Sequence, residues 1–152
     1  MEQKLEAYRR KRNFLKTSEP SGKEEKAVGV KKRKIFAVQL HYARTTHFDF
    51  RLEWDGVLLS WAVPKGPSFN PKDKRLAVRV EEHPLDYADF EGVIPKGEYG
   101  GGTVLLWDKG YWTETEDFAR GLEKGSLKLR LDGKRLKGGW ALVRLNDKDK
   151  AE

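Results

Sequence analysis

The sequence contains no cysteine and only one methionine among its 152 residues. The lack of cysteine excludes disulfide bonds, thiolate nucleophiles and cysteine-ligated zinc. No apolar run approaches the roughly 18 residues that a membrane-spanning helix needs, and the first residues lack the apolar stretch of a secretory signal. We therefore expect a cytoplasmic protein with no membrane partner.

The residues that are abundant indicate a folded domain. Charged residues make up 36% and aromatic residues 11% of the chain, with five tryptophans. This aromatic content is not typical of disordered chains. A chain of 152 residues suffices for one domain with a hydrophobic core.

The net charge of +7 is concentrated at one end of the chain. Residues 1–34 hold twelve Lys or Arg and five Glu, whereas residues 35–152 hold nineteen charges of each sign. A basic segment of this kind attracts a polyanion such as nucleic acid, although a solvated helix and linker would have the same composition. We expect residues 1–34 to form a basic helix and linker packed on a barrel of residues 35–152, in a single domain that associates with the nucleoid.

The first residues are predicted to be helical. Leu5, Tyr8 and Leu15 are spaced to share one helical face, which predicts a helix over residues 2–15. Arg12 lies on the same face, and we therefore expect it to face the body of the protein.

After residue 34 the apolar residues recur with a period of two, which is typical of β-strands. The pair Asp55-Gly56 is a hairpin turn signal, and a short helix is predicted over residues 116–124. The predicted strands are residues 35–40, 46–54, 57–63, 76–80, 103–107, 126–131 and 140–145. We therefore expect a mainly β fold, an antiparallel barrel of about eight strands with an N-terminal helix and one or two short flanking helices.

Two of the three histidines lie in the segment HYARTTHFDFRLEWDG, residues 41–56. Strand alternation places His47, Asp49 and Arg51 on one face, and a short turn over residues 42–46 would return His41 beside His47. Two imidazoles and a carboxylate suit manganese, iron, cobalt or zinc and leave positions open for water and substrate. The alternative interpretation is a set of ordinary polar residues on a half-buried strand.

Other polar residues could complete a phosphate site. Arg51 could hold a phosphate oxygen with two hydrogen bonds, and Gln39 shares a strand face with His41. His83 precedes Pro84 at a strand end, where it could donate a proton to a leaving oxygen or stabilise charge. Arg75 and Tyr87 could add phosphate contacts. Taken alone, His83 is better explained as a surface histidine at a strand end, and Arg75 as a solvated charge.

Two further segments are rich in glycine and proline. The three glycines of GVIPKGEYGGGTV, residues 92–104, suggest a phosphate cradle, but no GKS or GKT triplet follows them. A hairpin turn is the better interpretation. The segment SWAVPKGPS, residues 60–68, is interpreted as a strand that leaves the sheet at a bend.

The blocks HYARTTHFDFRLEWDG, SWAVPKGPS and EEHPLDYADFEGVIPKGEYGGG occur in this order. Together they resemble the 3′-phosphoesterase domain of bacterial ligase D and its free-standing archaeal and bacterial relatives. The resemblance runs from about Tyr8 to Leu145. It implies a barrel fold and manganese as the metal, with cobalt or zinc as alternatives. It also implies removal of 3′-terminal ribonucleosides and of 3′-phosphates from DNA or RNA strands, which leaves 3′-hydroxyl ends for repair.

The resemblance also assigns roles by position. The implied metal ligands are His41, His47 and Asp49. The implied catalytic residues are His83 and Arg51. The implied phosphate-binding or substrate-binding residues are Gln39, Arg51, Arg75, His83, Tyr87, Arg12 and Glu19. The sequence departs from the family at Asn13, where an aspartate is expected. A neutral amide neither serves as a base nor accepts a strong charge-assisted bond from an arginine.

The resemblance has consequences for partners, and two alternatives remain. We expect no ligase or polymerase in the same chain, so either would act as a separate partner. A non-catalytic nucleic-acid-binding barrel would also explain the basic N-terminus and the tryptophans. Such a protein needs exposed aromatics rather than a cluster of histidines, and Trp54 and Trp61 fall on apolar strand faces. The same chemistry on a small phosphorylated metabolite is the second alternative.

Overall fold

The computed structural model describes residues 2–22 and 33–145. Its strands are β1 (Lys34–Tyr42), β2 (Thr46–Trp54), β3 (Val57–Val63), β4 (Val78–His83), β5 (Gly92–Ile94), β6 (Gly102–Glu114), β7 (Ser126–Gly133) and β8 (Lys137–Val143). The helices are α1 (Glu6–Arg10) and α2 (Phe118–Lys124), with 3₁₀ helices at Glu2–Leu5 and Leu85–Asp89. In this part of the chain no helix is long and apolar enough to cross a membrane.

All strand pairs are antiparallel, in the order β4-β3-β2-β1-β6-β7-β8, with β5 paired to β6. Within the described residues β4 and β8 are not paired with each other, so the sheet is a curled half-barrel. The predicted mainly β, eight-stranded antiparallel fold is therefore confirmed.

Two separate hydrophobic cores pack on the two faces of the sheet. The first core contains Phe36, Val38, Leu52, Trp61 and Trp112, with α2 packed against it through Phe118. The second core contains Tyr8, Ala37, Leu58, Tyr87, Ala88, Phe90, Ile94 and Val104. Because strand side chains alternate, β1 supplies Phe36 and Val38 to one core and Ala37 to the other. The polar residues of the candidate site lie on the second face.

The tryptophans belong to the first core. Trp61 and Trp112 are buried in it, and Trp54, Trp107 and Trp140 pack against it. The expectation that Trp54 and Trp61 lie on apolar faces is confirmed.

The β2–β3 hairpin turns at Asp55-Gly56, as predicted. Trp54 pairs with Val57 across the turn, and Asp55 and Gly56 both have positive φ, at 51° and 82°. These values match a type I′ turn, in which two consecutive residues take the left-handed conformation.

The predicted N-terminal helix over residues 2–15 is too long. The helical segment ends at Arg10, and residues 14–16 form a turn. Hydrogen bonds from the backbone N–H groups of Lys16 and Thr17 to the Asn13 carbonyl close this turn. Leu15 is 97% exposed, so it does not share a buried face with Leu5 and Tyr8.

Two strand predictions also need correction, and one strand was missed. The strand predicted to end at Trp107 continues to Glu114, and the strand predicted over residues 76–80 runs from Val78 to His83. The short strand β5 was not predicted. Residues 23–32 of the predicted linker lie outside the described residues.

Candidate active site

The β1–β2 hairpin brings the predicted metal ligands together. His41 pairs with His47 across the ladder, and Gln39 pairs with Asp49. Paired residues in an antiparallel ladder project to the same side, so the three side chains converge as predicted. Nδ1 of His41 lies 3.5 Å from Asp49 Oδ2, and Nε2 of His47 lies 3.2 Å from Asp49 Oδ1. All three potential ligand atoms lie within 4.8 Å of one another.

Backbone carbonyls determine which nitrogen of each imidazole faces this centre. His41 Nε2 lies 2.6 Å from the carbonyl oxygen of Gly100, and His47 Nδ1 lies 3.0 Å from that of Thr45. A carbonyl oxygen only accepts hydrogen bonds, so each of these nitrogens carries the proton. His41 Nδ1 and His47 Nε2 are then the nitrogens that face Asp49, and each donates to the carboxylate when its ring is protonated and offers a lone pair to a metal when its ring is neutral. Such outer hydrogen bonds are typical of histidines that bind metals.

Asp49 is held as an anion. Burial opposes its ionisation, but the guanidinium of Arg51 and hydrogen bonds from His41 and His47 keep the pKa of Asp49 far below its usual value. The hydrogen bond with Asp49 in turn raises the pKa of His47 despite partial burial. A cation is therefore favoured here, and two imidazoles with a carboxylate fit a divalent transition metal.

We call the predicted ligands His41, His47 and Asp49 the metal-ligand triad. Arg51 lies beside this triad and is only 3% exposed. Its Nε donates to Gln39 Oε1 at 2.7 Å, its Nη1 donates to Ser60 Oγ at 2.8 Å, and its Nη2 lies 3.5 Å from Asp49 Oδ2. Gln39 is oriented by donating from Nε2 to the carbonyls of Tyr87 and Phe90 at 2.7 and 3.0 Å. These contacts fix the plane of the guanidinium next to the triad.

Glu19 joins the N-terminal segment to this network and is 4% exposed. Its Oε2 accepts hydrogen bonds from Tyr87 Oη at 2.8 Å and from Arg12 Nε at 2.9 Å. Its Oε1 accepts from Thr17 Oγ1 at 3.0 Å. The Arg51 guanidinium also lies 4.7 Å from the centre of the Tyr87 ring. Residues predicted from distant parts of the sequence therefore meet in one network.

Arg12 faces the body of the protein, as predicted, although it lies beyond the end of α1. Its Nη1 donates to Glu81 Oε2 at 3.1 Å, and its Nη2 lies 3.4 Å from His83 Nε2. Two carboxylates, those of Glu19 and Glu81, thus share one buried guanidinium.

His83 ends β4, as predicted, and is 3% exposed. The rings of Tyr8 and Tyr87 contact it edge-on, with centroids 4.8 and 4.7 Å away. Its Nδ1 lies 2.9 Å from the carbonyl of Glu81. Burial, followed by the nearby positive charges of Arg51 and Arg12, holds the pKa of His83 well below its usual value. His83 is therefore a neutral imidazole with its Nε2 lone pair directed towards Arg12.

The predicted phosphate contact Arg75, and Asn13 at the position where the family has aspartate, lie away from this network. Arg75 is exposed in the segment between β3 and β4, where Nη1 donates to the Lys65 carbonyl at 3.3 Å and Nη2 lies 3.5 Å from Asp73 Oδ2. The structure does not bring it into contact with the metal-ligand triad. Asn13 is exposed, and its Oδ1 accepts from the Leu15 amide at 3.0 Å. In this position it caps a turn.

Three contributing residues were missed from the sequence. Ser60 pairs directly with Arg51 between β2 and β3, so the predicted hairpin register was the signal for it. Glu81 precedes His83 by two residues, at an irregularity in the pairing of β4, and contacts the same Arg12 guanidinium as His83 does. Gly100 supplies the carbonyl to His41, and its φ of +75° explains why glycine is required there.

The glycine-rich segment is a turn, as predicted, but it also supports the site. A Cβ at Gly102 would lie 2.1 Å from the Tyr42 carbonyl oxygen, because this loop packs directly on the end of β1. That close approach brings the Gly100 carbonyl to His41.

Comparison with known proteins identifies the family of the chain. A family profile described as the DNA Ligase D 3′-phosphoesterase domain matches residues 39–144. The multifunctional non-homologous end joining protein LigD of Pseudomonas aeruginosa is 55% identical over 144 residues, which cover 93% of this chain and 17% of that protein.

Two mycobacterial relatives are similar over the same range. The multifunctional non-homologous end joining DNA repair protein LigD of Mycobacterium tuberculosis is 46% identical over 94% of this chain and 18% of its own length. The LigD protein of Mycolicibacterium smegmatis is 42% identical over 96% of this chain and 20% of its own length. The chain thus spans about a fifth of the length of these relatives. Because the profile covers most of the chain, the protein belongs to the DNA ligase D 3′-phosphoesterase domain family.

Proposed function

We propose that the protein is a metal-dependent phosphoesterase that removes 3′-terminal ribonucleosides and 3′-phosphates from nucleic-acid strands. The observation that carries the proposal is the triad of His41, His47 and Asp49 directly beside the Arg51 guanidinium. A cation site next to a fixed guanidinium is suited to a phosphate ester, since both groups attract its oxygens. Membership of a 3′-phosphoesterase family supports the same reaction class.

The metal would be held by His41 Nδ1, His47 Nε2 and an Asp49 oxygen. Manganese is the proposed ion, with cobalt or zinc as alternatives, because imidazole and carboxylate ligands suit all three. When bound, the ion supplies Lewis acidity towards a phosphoryl oxygen. Gly100 and Thr45 act through their carbonyls, which hold the imidazoles in the required tautomers.

Arg51 and Arg12 are proposed to bind the remaining phosphate oxygens. Gln39 and Ser60 hold the Arg51 side chain in place before substrate binds. Binding of a phosphate therefore costs little further side-chain entropy at Arg51. Arg12 is balanced by Glu19 and Glu81. Tyr87 donates to Glu19, which also accepts from Arg12, and the Tyr87 ring lies against the Arg51 guanidinium. Arg75 remains a proposed contact for the nucleic-acid strand.

We propose that His83 donates a proton to the leaving oxygen of the phosphate ester. Its neutral form results from burial and from two neighbouring positive charges. A phosphate placed between Arg51 and Arg12 would offset those charges, and the proton affinity of His83 Nε2 would then rise. A histidine whose pKa responds in this way is suited to give or take a proton during phosphate transfer.

The proposed substrates are the 3′ ends of DNA or RNA, in the cytoplasm and at the nucleoid. The relatives are end-joining proteins by name. We propose that the 3′-hydroxyl ends pass to a ligase or polymerase, either elsewhere in a longer protein or as a separate partner. A non-catalytic binding barrel is less well supported, because the described tryptophans belong to the first core rather than to an exposed stacking surface.

An end-labelled primer paired to a template tests the proposal directly. The primer carries either a 3′-phosphate or a single 3′-ribonucleotide, and it is incubated with manganese, cobalt, zinc or a chelator. We expect conversion to a 3′-hydroxyl end with metal and none with chelator. Hydrolysis that persists in chelator would contradict the metal assignment, and tight binding without any hydrolysis would favour the binding barrel. A small phosphate monoester assayed in parallel shows whether a polymer is required.

A further inference from the structure

The face of the sheet that carries the metal-ligand triad continues to β6, β7 and β8, where it is exposed. Ile35 lies on the same side of β1 as His41 and pairs with Tyr111 of β6. Along β7 the residues alternate between buried and exposed, and Arg130 and Asp132 are exposed. Tyr111 is 41% exposed. No hydrophobic core of the described residues covers this part of the face.

A cleft of about 450 Å³ lies on this surface. We call it the β6–β8 cleft. Its lining includes Arg33, Lys34, Tyr111, Arg130, Asp132 and Lys137.

The β6–β8 cleft is positively charged. Four of its lining residues are cations and one is a carboxylate. Asp132 is shared by Arg33 and Lys137 at 3.8 and 3.9 Å, and Lys34 is paired with Glu114 at 2.8 Å. Arg130 has no carboxylate within 4 Å in the described chain. After these pairings an excess of two positive charges remains, which suits a polyanion.

Arg33 is arranged for phosphate contact rather than for ion pairing. Its guanidinium lies 4.2 Å from the centre of the Tyr111 ring. A guanidinium stacked on an aromatic ring keeps its N–H groups free at the edge, where they can hold two phosphate oxygens. Its separation of 3.8 Å from Asp132, with both side chains mostly exposed, makes that pair weak.

The distance between the β6–β8 cleft and the metal-ligand triad matches a short length of duplex. From Ile35 to His41, β1 rises about 20 Å at about 3.3 Å per residue. Phosphates of one strand of B-DNA recur every 3.4 Å along the helix axis, so about six base pairs span this distance.

We propose that the β6–β8 cleft binds the phosphodiester backbone of a duplex whose 3′ end lies at the metal-ligand triad, about six base pairs away. This assignment rests on the proposed function for the position of the 3′ end. It predicts that affinity increases when the duplex becomes long enough to reach Arg33 and Arg130. It also predicts that this increment is independent of base sequence, because phosphate contacts carry no direct sequence information.

The test compares two fluorescent DNA hairpins with a 3′-phosphate, one of about five base pairs and one of about fourteen, which fall on either side of the required length. Binding is measured by anisotropy in chelator, so that no turnover occurs. In the double variant Arg33→Ala/Arg130→Ala, we expect about tenfold weaker binding of the long hairpin and a salt slope smaller by about two. Binding of the short hairpin should be unchanged.

A matched control removes the same charge from the other side of the sheet. Arg120 and Lys124 lie on α2, which packs on the first core through Phe118. Arg120→Ala/Lys124→Ala should bind both hairpins as the parent does. Conversely, Asp132→Asn removes the one carboxylate of the β6–β8 cleft and should tighten binding of the long hairpin about threefold.

Several outcomes would overturn the proposal. One is that Arg33→Ala/Arg130→Ala binds the long hairpin as tightly as the parent does. Another is that the control variant loses as much affinity for the long hairpin as the double variant does. The third is that the double variant loses as much affinity for the short hairpin as for the long one. Hydrolysis of a small phosphate monoester reports on the triad separately and should stay at the parental rate in the double variant. A parent protein that hydrolyses nothing but shows the length-dependent binding would contradict the proposed function while supporting the β6–β8 cleft.

Discussion

The metal-ligand triad and the network around His83 are built in different ways. His41, His47 and Asp49 come from one hairpin, and their convergence follows from a single strand register. Arg12 and His83 come from opposite ends of a long stretch of chain and meet only because the N-terminal segment packs on β4. One half of the site is a local structure, whereas the other half depends on the complete tertiary fold. Changes in the two halves should therefore have different consequences.

The largest effect is expected for the triad. His47→Ala removes one of three metal ligands, and we expect loss of detectable activity on both the 3′-phosphate and the 3′-ribonucleotide primers. Metal affinity measured by calorimetry should fall with it, because a site with two remaining ligands holds a divalent ion poorly. His47 is only partly buried, so the thermal midpoint should stay close to that of the parent. Normal metal affinity in this variant would refute the ligand assignment.

His83→Ala should separate the two halves. General acid–base assistance contributes roughly 10²–10⁴ in rate, and we expect a fall in kcat of that order. Metal affinity should remain within a few-fold of the parent, since His83 contacts Arg12 and Ser60 rather than the triad. Loss of the metal together with activity would instead make His83 a fourth ligand.

Arg51→Lys should reduce kcat by about 10²-fold, which is typical of removing a fixed donor to developing negative charge. A lysine keeps the positive charge but cannot bond Gln39, Ser60 and phosphate oxygens in one plane. The measurement is kcat on the 3′-phosphate primer, as for His83→Ala, with Arg120→Lys on α2 as the matched control. A variant with parental kcat would show that charge alone suffices at this position.

A smaller effect is expected on stability at acid pH. The pKa of His83 is depressed in the folded protein, so below the unfolded value of about 6.5 the unfolded chain binds a proton that the folded protein does not. The parent should therefore lose stability relative to His83→Gln as pH falls below about 6.5, by up to about 1.4 kcal/mol per pH unit. Urea midpoints at two pH values for both proteins measure this difference. A constant difference would mean that the pKa of His83 is the same in the folded and the unfolded protein.

The smallest effect is expected for Asn13→Asp. Asn13 is exposed and its side chain caps the Leu15 amide, a role that aspartate also performs. We expect kcat and KM on the 3′-phosphate primer to change by less than about threefold, as surface substitutions away from a site usually do. A larger gain in activity would show that a carboxylate here contacts the substrate.

The sequence was informative where neighbouring strands decide the geometry. Alternation along β2 and the short turn before it were sufficient to predict that His41, His47 and Asp49 converge. The same register would have identified Ser60 opposite Arg51. The roles of these residues remain proposals, and the family resemblance contributed the assignments of Glu19 and Tyr87.

The sequence was less informative where tertiary contacts override local preference. The predicted helix over residues 2–15 ends at Arg10 in the structure, because Arg12 turns towards Glu19 and Glu81. No periodicity reports these partners, and Glu81 lies far along the chain.

Strand β6 illustrates the same limitation at a strand end. The prediction ended at Trp107 because Asp and Gly are poor strand formers. In the structure Asp108 accepts backbone hydrogen bonds from Lys134, Arg135 and Leu136, which tie β6 to the turn between β7 and β8. At Gly110 a Cβ would lie 2.1 Å from the Asp132 carbonyl oxygen, so only glycine allows this approach.

The alternation of β1 between two hydrophobic cores links folding to chemistry. A slip of one residue would carry His41 and Gln39 to the side of Phe36 and Val38, since strand side chains alternate. Both cores would then lose their apolar residues, and two polar side chains would be buried without partners. A misaligned hairpin is therefore penalised twice, so the correctly folded chain and the correctly assembled site form in one event. Quality control that recognises exposed apolar surface would then also remove molecules with a defective site.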